Sequence, residues 1–199
     1  MRIFLAGATG VIGIRLVRLL VTAGHAVAGM TRSPEKAPAL QELGAEPVVC
    51  DVYDVEALRR AVDAFAPVLV MHQLTDLPDQ REEIPTFAAR NNRIRTEGTR
   101  NLLAAAASAE ATRFLAQSIA WRPPGRGDVV DEHERLVLDA GGVVIRYGQL
   151  YGPGTFYEDE VPSPPRVHVD DAARATHDLL DAPPGVVTVA DDQPPLRLT

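Results

Sequence analysis

"LAGATGVIGIRLVRLL", residues 5–20, sets three glycines, Gly7, Gly10 and Gly13, at a G-x-x-G-x-x-G spacing between an apolar run and an amphipathic stretch. The run "RIFLA" (2–6) reads as a short buried strand. Val11, Ile12, Ile14, Leu16, Val17, Leu19, Leu20 and Val21 give residues 11–21 an apolar helical face. A glycine loop between strand and helix lets backbone N–H groups come close to an anion at the positive end of the helix dipole. After a first strand, this pattern predicts a pyrophosphate cradle for a dinucleotide, formed by Gly7, Thr9, Gly10, Val11, Ile12 and Gly13. The same glycines also suit a tight turn in any α/β protein.

Beyond residue 20 the pattern repeats. Gly24 ends the first helix, "HAVAGM" is a second strand, and "SPEKAPALQELG" is a helix with Ser33 as N-cap and Gly44 at its end. "AEPVVC" is a third strand, "DVYDVEALRRAVDAF" a helix capped by Asp54, and "APVLVMHQ" a nearly continuous apolar fourth strand. A long helix over 87–109 leads to "TRFLAQS", then to the helix "VVDEHERLVLDAG" and the strand "GVVIRYG". "VDDAARATHDLLD", capped by an aspartate, and "GVVTVAD" supply a last helix and strand. Continuous apolar strands alternating with helices predict a parallel sheet covered on both faces. The fold expected is a doubly wound α/β domain over 1–199, with its crevice at the strand C-termini.

The chain has 199 residues, is 46% hydrophobic and carries a net charge of −7 with both signs interspersed. One domain with a sizeable core is expected. With no basic block there is no expected nucleic-acid partner. Cys50 is the only cysteine, which excludes an intrachain disulfide and a cysteine-based zinc site, and no metal site is expected. With no apolar run of spanning length, a soluble cytoplasmic protein without a membrane partner is expected.

The end of the second strand reads "GMTRSPEK". Thr31, Arg32 and Ser33 offer hydroxyls and a guanidinium where an acidic residue would repel a 2′-phosphate, so NADP is expected ahead of NAD.

"GATGVIG", "CDVYD", "EGTRNLLAAA", "FLAQS", "IRYGQLYGPGT" and "VHVDDAARA", in that order, resemble the extended short-chain dehydrogenase/reductase superfamily, in its NAD-dependent epimerase/dehydratase-like branch. The resemblance covers most of the chain. It implies that Asp51 and Val52 lie against the adenine and that His72, Gln73 and Leu74 line the cofactor crevice. It implies further that Ser118 stands at the catalytic serine position and "YGPGT" over the nicotinamide end.

Two departures qualify it. The superfamily's Tyr-x-x-x-Lys pair would fall near Arg126 and Val130, neither is present, and no lysine occurs after Lys36. Arg95 takes the place of a helix-borne asparagine, with Asn91 and Asn92 a turn earlier. Tyr147 and Tyr151, beside the expected nicotinamide, are the replacement acid–base candidates, next to Ser118. His133 in "DEHER" is read as a surface histidine, with a proton-transfer role as the other option. Short loops at 121–128 and 152–166 stand where a substrate lobe is expected, so either the lobe is reduced or the chain is incomplete.

Three functions are compatible with these residues. The first is an NADP-linked oxidoreductase or epimerase acting on a small carbonyl or sugar-like substrate. The second is a cofactor-binding module without turnover, and the third a non-redox cyclase or isomerase on the same scaffold. The resemblance also implies a homodimer through the helices at 87–109 and 129–140.

Overall fold

The computed structural model describes residues 1–78, 80–121 and 127–191. The expected position of the missing tyrosine, Arg126, lies outside them.

The expected alternation is realised. Strands β1 (Arg2–Ala6), β2 (Ala26–Thr31), β3 (Glu46–Val49), β4 (Leu69–His72), β5 (Arg113–Ile119), β6 (Val143–Tyr147) and β9 (Gly185–Val189) form one sheet in the order β3-β2-β1-β4-β5-β6-β9. Every pairing is parallel. The order reverses direction beside β1, which opens a crevice at the strand C-termini. A small parallel ribbon, β7 (Gln149–Tyr151) with β8 (Arg166–His168), leaves the end of β6 and was not legible in the sequence.

Both faces of the sheet are covered. Helices α1 (Gly13–Thr22) and α7 (Val169–Asp178) bury Leu16, Val17, Leu20, Ala172 and Ala173 against Ile3, Leu5, Met71 and Ile145. On the other face α3 (Val55–Phe65), α5 (Thr99–Ser108) and α6 (Gly127–Asp139) bury Leu58, Val62, Leu102 and Val137 against Phe4, Val70, Ala116 and Val144. Alternate strand residues therefore serve opposite layers. That alternation decides which side chains reach the crevice.

Several local expectations are corrected. Residues Pro34–Lys36 form a 3-10 turn, and α2 (Ala37–Glu42) starts only at the second proline of "SPEKAP". A proline fits the first turn of a helix and breaks the interior, so Pro38 sets the start. Ser33 makes no side-chain cap bond. The cap of α7 is His168, whose Nδ1 accepts from the Asp170 N–H at 3.3 Å, because the Asp170 carboxylate is taken by Arg15. The single helix expected over 87–109 is α4 (Ala88–Arg93), a π-helical turn Ile94–Gly98, and α5. Asp54 caps α3 as expected, accepting from the Ala57 N–H at 3.0 Å.

Candidate functional site

The glycine loop is a built cradle. Gly7 has φ +87°, and a Cβ there would stand 2.6 Å from the Gln73 carbonyl oxygen. A Cβ on Gly13 would come within 2.0 Å of the Gly7 carbonyl oxygen. These two glycines are demanded by packing. At Gly10 a Cβ would meet only the Gly7 oxygen, at 3.3 Å, so its smallness leaves open space for a ligand. No side chain caps α1, and no acidic residue stands in its first turn. The positive end of the helix is thus left for an anion, and the residues fit a dinucleotide pyrophosphate.

Two hollows meet at this loop. The larger, about 660 Å³, is lined by Thr9 and Gly10 to Gly13, by Gln73 after β4, by Gln117 and Ser118 of β5, and by Tyr147 of β6. The smaller, about 280 Å³, is lined by Gly7, Thr9, Thr31, Arg32, Ser33, Asp51, Val52, Gln73 and Leu74. Most of the residues expected to hold cofactor therefore converge on one crevice.

Arg32 is half exposed and ion-paired to Asp76 at 3.0 Å. Arg90 grips the same carboxylate through two N–H groups, each at 3.0 Å. Burial pushes the Asp76 carboxyl up, but the bonds and charges of Arg32 and Arg90 outweigh it and hold it below the ordinary value. No local pattern in the sequence marks Asp76 and Arg90, because the pairing depends on a loop packing against α4.

His72 and Tyr151 are not brought to the crevice. His72 is fully buried on the α5 side of the sheet, because it shares the alternation of Val70 rather than that of Met71. Its Nδ1 accepts from the Leu74 N–H at 3.2 Å, so Nε2 carries the proton and donates to the Thr99 hydroxyl at 3.1 Å. Tyr151 stands on the β7–β8 ribbon, donating to Asp191 at 2.9 Å and packing edge-on to His168. The hydrogen bond to Asp191 raises its pKa.

His133 is a correction of a different kind: it is fully buried rather than on the surface. Nε2 donates to the Gln117 carbonyl at 2.9 Å, and Nδ1 lies 2.8 Å from the Thr99 hydroxyl, whose oxygen is also 2.7 Å from the Arg95 carbonyl. The His72 and His133 rings meet edge to face. Burial, with the Arg95 charge second, lowers the His133 pKa to about 4, and burial with the neighbouring His133 and Arg95 charges lowers that of His72. A signal existed: Val130, His133, Glu134 and Val137 sit at i, i+3, i+4 and i+7, a buried stripe.

The two candidate catalytic hydroxyls that line the larger hollow, those of Ser118 and Tyr147, both hydrogen-bond to buried side chains behind it. Ser118 donates to Glu134 Oε1 at 2.7 Å, and Arg146 Nε donates to the same oxygen at 2.9 Å. On the opposite side of the sheet Thr176 donates to the Ala172 carbonyl at 2.7 Å, so the 2.5 Å contact between Tyr147 and Thr176 has the phenol as donor. Gln73 Nε2 donates to the phenol oxygen at 3.3 Å. Burial pushes the Tyr147 pKa up to about 12, against the smaller effect of the Gln73 donor.

A family model described as NAD(P)H-binding matches residues 7–134, from the first glycine of the loop to α6. The chain belongs to this NAD(P)H-binding family. The domain has the Rossmann fold, and the resemblance to the short-chain dehydrogenase/reductase and epimerase-like superfamily holds. A 3-diazoavenalumate denitrifying reductase of a Streptomyces species is 37% identical over 238 aligned positions, covering 98% of this chain and 77% of that protein. Since 238 positions exceed the 199 residues here, that reductase has segments inside the match that this NAD(P)H-binding protein lacks.

Among solved structures, the UDP-glucose 4-epimerase of Thermus thermophilus, in complex with NAD, superposes with a TM-score of 0.78 at 20% identity. It covers 97% of this chain and 78% of that one. The Thermotoga maritima UDP-glucose 4-epimerase gives 0.77 at 18% identity, over 96% and 77%. At that identity the likeness concerns the fold. The family match and the reductase relative together make this NAD(P)-binding chain an enzyme of the oxidoreductase kind. No helix among the described residues is long and apolar enough to cross a membrane.

Proposed function

We propose that this protein is an NADPH-dependent reductase whose substrate accepts hydride without taking a proton from the protein. The observation that carries the reading is the direction of two protons: Ser118 donates to Glu134 and Tyr147 to Thr176, so neither is set to protonate a developing alkoxide. With no Tyr-x-x-x-Lys pair in the sequence, a small carbonyl or a sugar-like substrate is the poorer fit. Held by the glycine loop, NADPH would supply a hydride, and replacement of a diazonium group by that hydride would form a C–H bond while the C–N electron pair leaves with dinitrogen. Such a step needs no acid from the protein, and the name of the Streptomyces relative describes a reduction of this class.

NADP ahead of NAD is supported by charge. Arg32 and Lys36 face Asp51 alone among the charged described residues of the smaller hollow, and Arg90 already answers Asp76. Ser33, Thr31 and the Arg32 guanidinium suit a 2′-phosphate. The catalytic role left to Ser118 and Tyr147 is to shape and polarise the wall, and Tyr151 holds the ribbon beside it. A homodimer through α5 and α6 belongs to the same proposal.

The test monitors absorbance at 340 nm with NADPH or NADH, an aryl diazonium salt, a simple aldehyde and UDP-glucose, together with dinitrogen release by mass spectrometry. Diazonium-dependent oxidation of NADPH with stoichiometric dinitrogen is expected, and Arg32→Ala should raise the NADPH KM about tenfold while leaving that for NADH. Cofactor binding with no oxidation on any substrate would replace the proposal with a binding module.

A further inference from the structure

Asp76 and Arg90 stand outside the lining of both hollows, yet Thr75 and Leu77, on either side of Asp76, line both. Asp76 is buried, and its N–H donates to Asn91 Oδ1 at 3.1 Å, which ties the segment after β4 to α4. Its carboxylate meets the adenosine end of the crevice through Arg32, whose Nη2 donates to Oδ1 at 3.0 Å. A carboxylate so close to Arg32 is a poor neighbour for a phosphate that Arg32 is to bind.

The second arginine changes the balance of charge. An Arg32–Asp76 pair alone would be neutral, and a phosphate would have to draw the guanidinium away from its partner. Arg90 donates from Nε to Oδ2 and from Nη2 to Oδ1, each at 3.0 Å, and its guanidinium rests 4.6 Å over the centroid of Phe87. Two arginines and one aspartate sum to one positive charge. Because Arg90 engages both oxygens of the carboxylate, Arg32 spends a single N–H on Asp76 and keeps the rest of its fork. The Arg32 side chain stays half exposed on the smaller hollow, held in place at one corner.

We infer that Arg90 is a determinant of cofactor choice: by neutralising Asp76 it leaves the Arg32 guanidinium an unspent positive charge for the 2′-phosphate of NADP(H). Arg90 acts through Asp76 and Arg32 and is a positioning residue. The inference rests on the NADP reading and adds to it a residue that does not line the cofactor site.

Calorimetric titration of the full chain with NADP⁺ and with NAD⁺ tests it, on the wild type, Arg90→Met, Arg90→Lys and the double variant Asp76→Asn/Arg90→Met. In Arg90→Met the ratio of NADP⁺ to NAD⁺ affinity should fall about fivefold, since the 2′-phosphate then meets a neutral pair, while NAD⁺ binding holds. Arg90→Lys keeps the charge and should keep most of the ratio. The double variant removes the carboxylate charge as well and should restore it. The fall should shrink in about 0.5 M salt, as exposed charges are screened. An unchanged ratio in Arg90→Met, a parallel loss of both dinucleotides, or no recovery in the double variant would overturn the inference while the NADP reading stands. Equal affinity of the wild type for NADP⁺ and NAD⁺ would instead remove the reading beneath it.

Discussion

Ser118 and Arg146 face each other across the β5–β6 register and converge on one carboxylate, that of Glu134. The pair is buried on the acid's side and one-third exposed on the arginine's, and the carboxylate raises the Arg146 pKa. One glutamate of α6 thus settles both where the serine proton goes and how α6 docks on the sheet.

Glu134→Gln should cost about 2 kcal/mol of stability, since it leaves the Arg146 cation underneutralised at a mostly buried site. Ser118→Ala should cost less than half of that and leave diazonium reduction within about threefold, because a methyl group removes only one neutral donor. Denaturant midpoints and kcat of the two variants check this. A loss of about a hundredfold in kcat for Ser118→Ala would show that the serine contributes its proton after all.

Tyr147→Phe tests the other hydroxyl. With its pKa pushed to about 12, Tyr147 stays protonated throughout the working range, so removing it should leave the shape of the pH–rate profile unchanged between about pH 6 and 10. A limb of the wild-type profile that vanishes in the variant would assign the phenol an acid–base role.

Acidification should destabilise the fold through its two buried histidines. His72 and His133 are buried neutral, and their folded pKa values lie below the unfolded one, so the unfolded chain binds more protons as pH falls under the ordinary histidine value of 6.5. The stabilisation is whole above that pH and is lost as pH falls toward about 4. From His133 alone the loss at pH 5 amounts to about 2 kcal/mol. Asp76 and Asp170 are held below the usual carboxylate value and do not contribute in this window. Urea midpoints at about pH 7 and pH 5 read it directly, and equal midpoints would mean that the buried pair accepts a proton at no cost.

The glycines of the loop should respond differently to one methyl group. Gly13→Ala drives a Cβ to 2.0 Å from a backbone oxygen and should unfold or grossly destabilise the domain. Gly10→Ala has only a 3.3 Å contact to relieve, so its thermal midpoint should stay within a few degrees while NADPH affinity falls about tenfold or more, as the methyl enters the phosphate space. Paired melting and NADPH titrations distinguish the two. Unchanged NADPH affinity in the Gly10 variant would place the pyrophosphate elsewhere.

The period of the apolar residues and the glycine spacing were enough to place the sheet, its helices and the phosphate loop, because both are local patterns. Strand alternation even contained the fate of His72, which sides with Val70 toward α5, and the helical stripe of α6 contained that of His133 and Glu134. The sequence misleads where a polar residue at a core position reads as exposed. A buried polar group is tolerated only when partners from other elements satisfy it, and Thr99, Gln117 and Arg146 are distant in sequence from the groups they serve.

By itself the sequence determined a dinucleotide-binding α/β domain lacking the Tyr-x-x-x-Lys relay, since these are matters of residue type and local spacing. Only the tertiary structure decided where the protons of Ser118 and Tyr147 point and which cations line the cleft. Hydrogen-bond direction and the pairing of charges depend on neighbours that the sheet register and the docking of α6 and α7 bring together.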